Sequence, residues 1–244
     1  MARHENKLRS LRIVTLTTAA MVVLTPLIAR AADDSTEQAR VKASGEVLTE
    51  ILNSPEGIPA SVLNKSECII ILPSVKKAGF IVGAQYGRGL MSCRSGDKFD
   101  GPWSAPILMQ SSGGSFGLQA GGEATDYVIL VMNDKGARTV LKGKAKLGGD
   151  ASIAAGPVGR TAEASTSGNM SAEMLSYSRA HGVFGGLSLS GSSLAPDGGA
   201  NEKLYGKKVS GQEIFSGAVT APPVAADLLA TLQSKSPGNA SKGK

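Results

Sequence analysis

Cys68-Ile69-Ile70-Ile71-Leu72-Pro73 is the stretch that decides the fold. Five apolar residues in a row, three of them β-branched, are too few for a helix and read as a buried strand. Pro73 stops the run because it has no N–H to give to a ladder. Downstream, residues 78–92 are apolar and punctuated by glycine, which predicts a strand or hairpin. Residues 116–122 and 127–132 are expected to form two more strands, the second being the strongest β signal in the chain. Upstream the period changes. Ala43, Val47, Leu48, Ile51 and Leu52 recur at helical spacing, and Asn53-Ser54-Pro55 ends them. A short helix is expected over 61–66, with Pro59 near its first turn.

Further along, Asp134 is a candidate cap for a short helix through Leu141. Residues 148–159 and 170–180 are small-residue segments expected as strands, and 183–190 alternate apolar and small side chains. Pro222-Pro223 precedes a helix carrying Val224, Ala226, Leu228, Leu229 and Leu232, after which a Ser/Gly/Lys tail follows. No repeat of fixed period is present. The fold class is α+β: a largely antiparallel, Gly-rich sheet or barrel-like core with flanking N- and C-terminal helices.

The first residues have the layout of a cleavable secretory signal. Arg3, Lys7, Arg9 and Arg12 precede an uncharged stretch from Ile13 to Ile28, and Ala29-Arg30-Ala31 has the small-x-small form of a cleavage site. A membrane-spanning helix needs about 20 apolar residues, and this stretch is diluted by Thr15, Thr17, Thr18 and Thr25. The expected organisation is a signal over 1–31, a flexible leader over 32–42, one domain over 43–232 and a disordered basic tail over 233–244. The location that follows is periplasmic or extracellular, peripheral to a membrane. Residues 1–31 carry a net charge of +4, so removing them takes the chain from +6 to +2. Lys235, Lys242 and Lys244 lie in the tail, which leaves the body near neutral. That excludes a general nucleic-acid binder.

His181 is the only histidine outside the signal, so multi-histidine metal sites are excluded. The expectation is a protein that is not an enzyme and carries no metal or cofactor. Cys68 and Cys93 are read as a disulfide of an exported chain, the alternative being two separate buried thiols. Closing a loop of about 26 residues is worth roughly 3.5 kcal/mol in the chain-entropy model. The glycine clusters Gly87-Arg88-Gly89, Gly148-Gly149 and Gly185-Gly186 lack phosphate-loop spacing and are read as tight turns. Lys142, Lys144 and Lys146 alternate with Gly143 and Ala145, so in an extended segment all three share one face, with Lys76-Lys77 in a separate turn. Such a ladder suits anionic lipid head groups. The competing reading is an edge strand protected by lysines.

Several motifs together carry a family resemblance. They are Pro73-Ser74-Val75-Lys76-Lys77-Ala78-Gly79-Phe80, Tyr86-Gly87-Arg88-Gly89, Trp103-Ser104-Ala105-Pro106, Gly114-Ser115-Phe116-Gly117, Ala155-Gly156-Pro157-Val158-Gly159-Arg160, Tyr177-Ser178-Arg179, Gly182-Val183-Phe184-Gly185-Gly186 and Asn201…Leu204-Tyr205-Gly206. In this order, over about residues 40–215, the chain resembles the SYLF family. The resemblance implies a lipid-binding module. Eukaryotic members are joined to SH3 or FYVE domains and bind phosphoinositides and, in yeast relatives, actin; bacterial members are exported single domains. The expected partners are therefore anionic lipids or a membrane surface, or else an envelope protein that uses the domain structurally. Lys142, Lys144, Lys146, Lys76 and Lys77 are the head-group candidates.

The signal reading carries its own test. N-terminal sequencing of protein from the envelope fraction should begin at Ala32; recovery of intact Met1 in the membrane fraction would show an uncleaved anchor instead.

Overall fold

The computed structural model describes residues 25–79, 82–116, 121–143, 145–158, 172–180, 183–185 and 191–241. Strand β1, Cys68–Gly79, lies between β2, Val82–Cys93, and β4, Gly121–Val131, both antiparallel to it. Ile69, Ile70, Ile71 and Leu72 are fully buried. At about 1.5–3 kcal/mol per side chain these four contribute roughly 6–12 kcal/mol, an upper bound comparable to the whole stability of a domain. Side chains alternate along a strand, so an apolar run needs cover on both faces. Ile70 and Leu72 join one core with α3, Asp134–Leu141, and α5, Gly211–Phe215. Ile69 and Ile71 join a second core under α1, Thr25–Asn53, and α6, Ala226–Lys235.

Pro73 does not end the strand but bulges it. Leu72 pairs with Tyr127 and Val75 with Thr125, so β1 advances three residues where β4 advances two. Ser74 takes a φ of +50° there, and its N–H donates to Asp126 Oδ1 at 2.8 Å. The extra residue exchanges the faces: Leu72 and Val75 both point into the first core, and Lys76 emerges on the α1 side. Arg179 donates to Asp126 Oδ2 through Nε at 3.0 Å and NH2 at 2.7 Å, and its NH1 pairs with Glu50 of α1. The bulge is thereby tied to the helix that covers the strand below it.

The remaining strands are β3, Ile107–Phe116, β5, Ala145–Lys146, β6, Ile153–Ala155, β7, Met174–Ala180, β8, Val183–Gly185, and β9, Ser192–Pro196. The order among the described residues is β5-β9-β3-β2-β1-β4-β7-β6, with β8 on β7, and all pairs are antiparallel except β6–β7. β5 and β6 sit at opposite ends of that order yet are close in sequence. A flat sheet would hold its ends about 34 Å apart, whereas the chain from Lys146 to Ile153 reaches at most about 25 Å. The sheet therefore curls into a half-barrel, and a bridge between Leu147 and Ala151 marks where its ends approach.

The sequence expectations need several corrections. Gly87 and Gly89 are not turn residues but lie within β2, where β1 comes very close. A Cβ at Gly87 would sit 2.6 Å from Val75 Cγ2, and one at Gly89 would sit 1.8 Å from the Ile71 carbonyl oxygen. Of the strand expected over 116–122, Phe116 ends β3 and Gly121-Gly122 open β4, while 117–120 lie outside the described residues; the strand Ile107–Phe116 itself was not expected. The cap of α3 is Asn133, whose side chain accepts from the Gly136 N–H at 2.9 Å, and Asp134 is already helical. Residues 32–42 are helical, not a loose leader, because Glu37, Arg40 and Val41 are buried. Arg40 bridges Glu37 at 2.9 Å and Asp197, the cap of α4, Gly198–Tyr205, at 3.2 Å. Nor is the tail free. Gln233–Lys235 complete α6, and Ser236 to Ser241 are hydrogen-bonded to the body.

Two glycine substitutions test this packing. Gly89→Ala should destabilise the protein by about 2–4 kcal/mol, since its methyl meets backbone rather than a flexible side chain. Gly199→Ala, in α4 with nothing within 4 Å, should stabilise by about 0.5–1 kcal/mol. Urea unfolding of both variants decides the point, and equal midpoints would show that β1 and β2 are not so tightly apposed.

Candidate functional site

Above the bulge no described element covers the face of the sheet that α1 crosses lower down. Register places Lys76 beside Tyr86, Tyr86 beside Ser112, Ser112 beside Ser193 and Ser193 beside Lys146. These five form one row across β1, β2, β3, β9 and β5, spanning about 19 Å at normal strand spacing. The neighbouring row holds Arg88, Gln110 and Ala195, and the next holds Ala78, Ala84 and Gly114. Lys76, Tyr86, Arg88, Gln110, Ser112 and Lys146 are all exposed. Their strand neighbours Gln85, Gly87, Gly89 and Ser111 are buried on the other side, as alternation requires.

Tyr86, at 43%, is the large apolar side chain most open to solvent among the described residues. The Arg88 guanidinium lies 5.4 Å from the centre of its ring, and Arg88 Nε donates to the Tyr86 hydroxyl. That hydrogen bond, followed by the weaker pull of Asp197 and Glu37, holds Arg88 above the usual arginine range. In these rows the described residues present an amphipathic aromatic ring, three cations and otherwise small or uncharged side chains, with the carboxylates of Asp197 and Glu37 near Arg88. Asp150 Oδ2 accepts from the Lys146 backbone N–H at 3.1 Å at one end of the row.

Of the five lysines singled out from sequence, the structure brings Lys76 and Lys146 into that row. Lys77 belongs to the opposite face, half-buried with its Nζ 5.4 Å from the Tyr127 ring centre. Lys142 caps the C-terminus of α3, and Gly143 turns the chain there with φ +78°, so the alternation 142–146 is not one extended segment. Lys144 and His181 lie outside the described residues. Sequence reading passed over Tyr86 and Arg88; their signal was the alternation Tyr-Gly-Arg-Gly, with glycines on the face pressed against β1. Cys68 and Cys93 are register partners at the open end of the β1–β2 hairpin, joined as a disulfide with Cα atoms 3.9 Å apart and fully buried.

A second concavity, an open groove of about 590 Å³, runs between α1 and α6. Its rim carries Glu46, Glu50 and Asp227 against Lys42, the wrong sign for an anionic ligand. Among the described residues no group of three His, Cys, Asp or Glu side chains is placed to hold a metal ion. No described helix is long and apolar enough to cross a membrane.

Residues 112–235 match the family model Ysc84, described as Las17-binding protein actin regulator. The chain is 38% identical over 210 residues to an SH3 domain-containing protein of Schizosaccharomyces pombe, covering 82% of this chain and 48% of that one. It is 34% identical over 206 residues to protein YSC84 of Saccharomyces cerevisiae, covering 83% and 43%. It is 35% identical over 204 residues to SH3 domain-containing YSC84-like protein 1 of Bos taurus, covering 81% and 59%. The chain thus spans about half the length of the curated relatives it matches, and the description of the family model is that of a binding and regulatory protein. The chain belongs to the Ysc84, or SYLF, domain family.

Proposed function

We propose that this domain is a non-catalytic binding module whose open sheet face contacts anionic phospholipid head groups. The observation that carries the reading is the row from Lys76 to Lys146 with Tyr86 between them and Arg88 alongside. Tyrosine suits a water–lipid boundary because its ring is apolar and its hydroxyl is not. Each cation near a negative surface contributes about 1 kcal/mol. The face needs no deep pocket, since it meets a surface rather than a single molecule. With the secretory signal read from residues 1–31, the membrane it meets is that of the cell envelope.

A second reading is favoured by the family description, which names a Las17-binding actin regulator. On that reading the same face takes an acidic protein surface, and lipid affinity is incidental. Co-sedimentation with actin filaments and pelleting with vesicles, run side by side, separate the two.

Replacing Lys76, Arg88 and Lys146 together with glutamine should weaken binding to anionic vesicles by about a hundredfold while leaving the melting curve unchanged. Lys142→Gln, off this face, should change binding little. Binding by the parent should fall as salt rises, because screening cuts the attraction beyond about 8 Å at physiological ionic strength. A triple variant that pellets like the parent, or a parent indifferent to lipid charge, would refute the lipid reading.

A further inference from the structure

Ser236 to Ser241 is held in an unusual way for a terminal segment. Trp103 Nε1 donates to the Ser236 carbonyl at 3.0 Å, and Arg94 NH2 donates to the Gly238 carbonyl at 2.9 Å and to Ser236 Oγ. The Asn239 amide donates to Glu67 Oε2 at 2.7 Å and to the Phe99 carbonyl at 2.8 Å. Ser241 Oγ donates to Glu67 Oε1 at 3.1 Å, and the Ala240 N–H donates to the Asn64 carbonyl. Only Ser236 of the six is buried; Pro237, Gly238, Ala240 and Ser241 are exposed. The hold is therefore almost wholly polar, made through the segment's carbonyls, one backbone N–H, one side-chain amide and two hydroxyls. Bound peptides are held in this way, whereas core elements are held by apolar burial.

The receptor side is built at the disulfide end of β1 and β2. Arg94 is fully buried, and its guanidinium stacks 4.1 Å from the Trp103 ring centre. Its backbone N–H donates to the Glu67 carbonyl, and it bridges to Trp103 in the strand pattern just past the disulfide. Phe99 is buried against Phe215 with ring centres 5.2 Å apart. Arg94 Nε and NH1 have no hydrogen-bond partner although they are buried, so the cleft offers more donors than the segment uses. Burial lowers Arg94 to about 10, which leaves it cationic at neutral pH.

We propose that Arg94, Trp103, Glu67 and the Phe99 carbonyl form a peptide-recognition cleft, which Ser236–Ser241 occupies in cis. Its ligand is a short turn-forming segment of Ser-Pro-Gly-Asn-x-Ser chemistry, with two accepting carbonyls, a donating amide and a terminal hydroxyl. Presented in trans, the same chemistry competes with the cis segment once that segment is weakened. Tethering raises the local concentration to the millimolar range, so the parent is expected to exclude a free peptide.

The chain contains one tryptophan, Trp103, so its emission reports on the cleft. The probe is a synthetic peptide of residues 236–241, blocked at both ends, titrated into the full chain. A full-length variant carrying Asn239→Ala and Ser241→Ala should bind it saturably, at least tenfold more tightly than the parent. Adding Glu67→Gln to that variant should weaken binding about tenfold or more, by removing the carboxylate that reads Asn239. No saturable change in the double variant, or indifference to Glu67→Gln, would overturn the proposal. Hydrogen exchange on the unaltered parent gives a second readout that needs no variant. The amide of Ala240, which donates to the Asn64 carbonyl, should open well before those of Ile69–Leu72. If both groups exchange only together, the segment is an integral part of the fold and no cleft exists beneath it.

Discussion

One extra residue in β1 organises this molecule. Below Pro73-Ser74 the strand is apolar on both faces and must be covered twice, by α3 and α5 on one side and by α1 and α6 on the other. Above it the strand continues as Val75-Lys76-Lys77-Ala78-Gly79, which needs no such cover on the α1 side. The bulge both ends the covered zone and decides which lysine faces which way. Asp126 fixes it by accepting the Ser74 N–H with one oxygen while the other holds Arg179, and Arg179 reaches Glu50 of α1. The same set of contacts that bends the strand also sets where the helix stops shielding the sheet.

Glycine makes this arrangement possible on the neighbouring strand. β2 meets the bulged part of β1 with Gly87 and Gly89, whose missing side chains admit Val75 and the Ile71 carbonyl. The residues between and beside them, Tyr86 and Arg88, are thrown to the opposite face by strand alternation. A Tyr-Gly-Arg-Gly stretch therefore supplies close packing on one side and a cationic, aromatic surface on the other. At the open end of the hairpin the register places Cys68 and Cys93 side by side, and the next residues, Glu67 and Arg94, line the cleft that grips the C-terminal segment.

What sequence could show follows the range over which each feature is determined. The buried strand at 68–72, the hairpin after it, the strand at 127–132 and the helix after Pro222-Pro223 all announce themselves through local hydrophobic pattern. The pairing of Cys68 with Cys93 was legible because a hairpin brings its two ends together. β3 was partly hidden because Ser111-Ser112-Gly113-Gly114-Ser115 has neither bulk nor alternation, and its place is set by β2 and β9 on either side. Helices α4 and α5 are eight and five residues long and rest on their caps, Asp197 and Ser210, more than on any periodic face.

The open face was the least legible feature. Lys76 and Lys146 are seventy residues apart in the chain and meet in one row only through three intervening strands. Adjacent Lys76 and Lys77 part to opposite faces at a parity that the bulge has already reset, and Lys142 is diverted into a helix cap. The most direct test of that face is nitration of the four tyrosines, mapped by mass spectrometry with and without anionic vesicles. Tyr127 and Tyr177 are buried, Tyr205 donates to the Pro106 carbonyl at 2.7 Å, and burial pushes the Tyr177 and Tyr205 phenols up. The account predicts that Tyr86 reacts first in the free protein and is protected when the protein is vesicle-bound. Full reactivity of Tyr86 on vesicle-bound protein would contradict it.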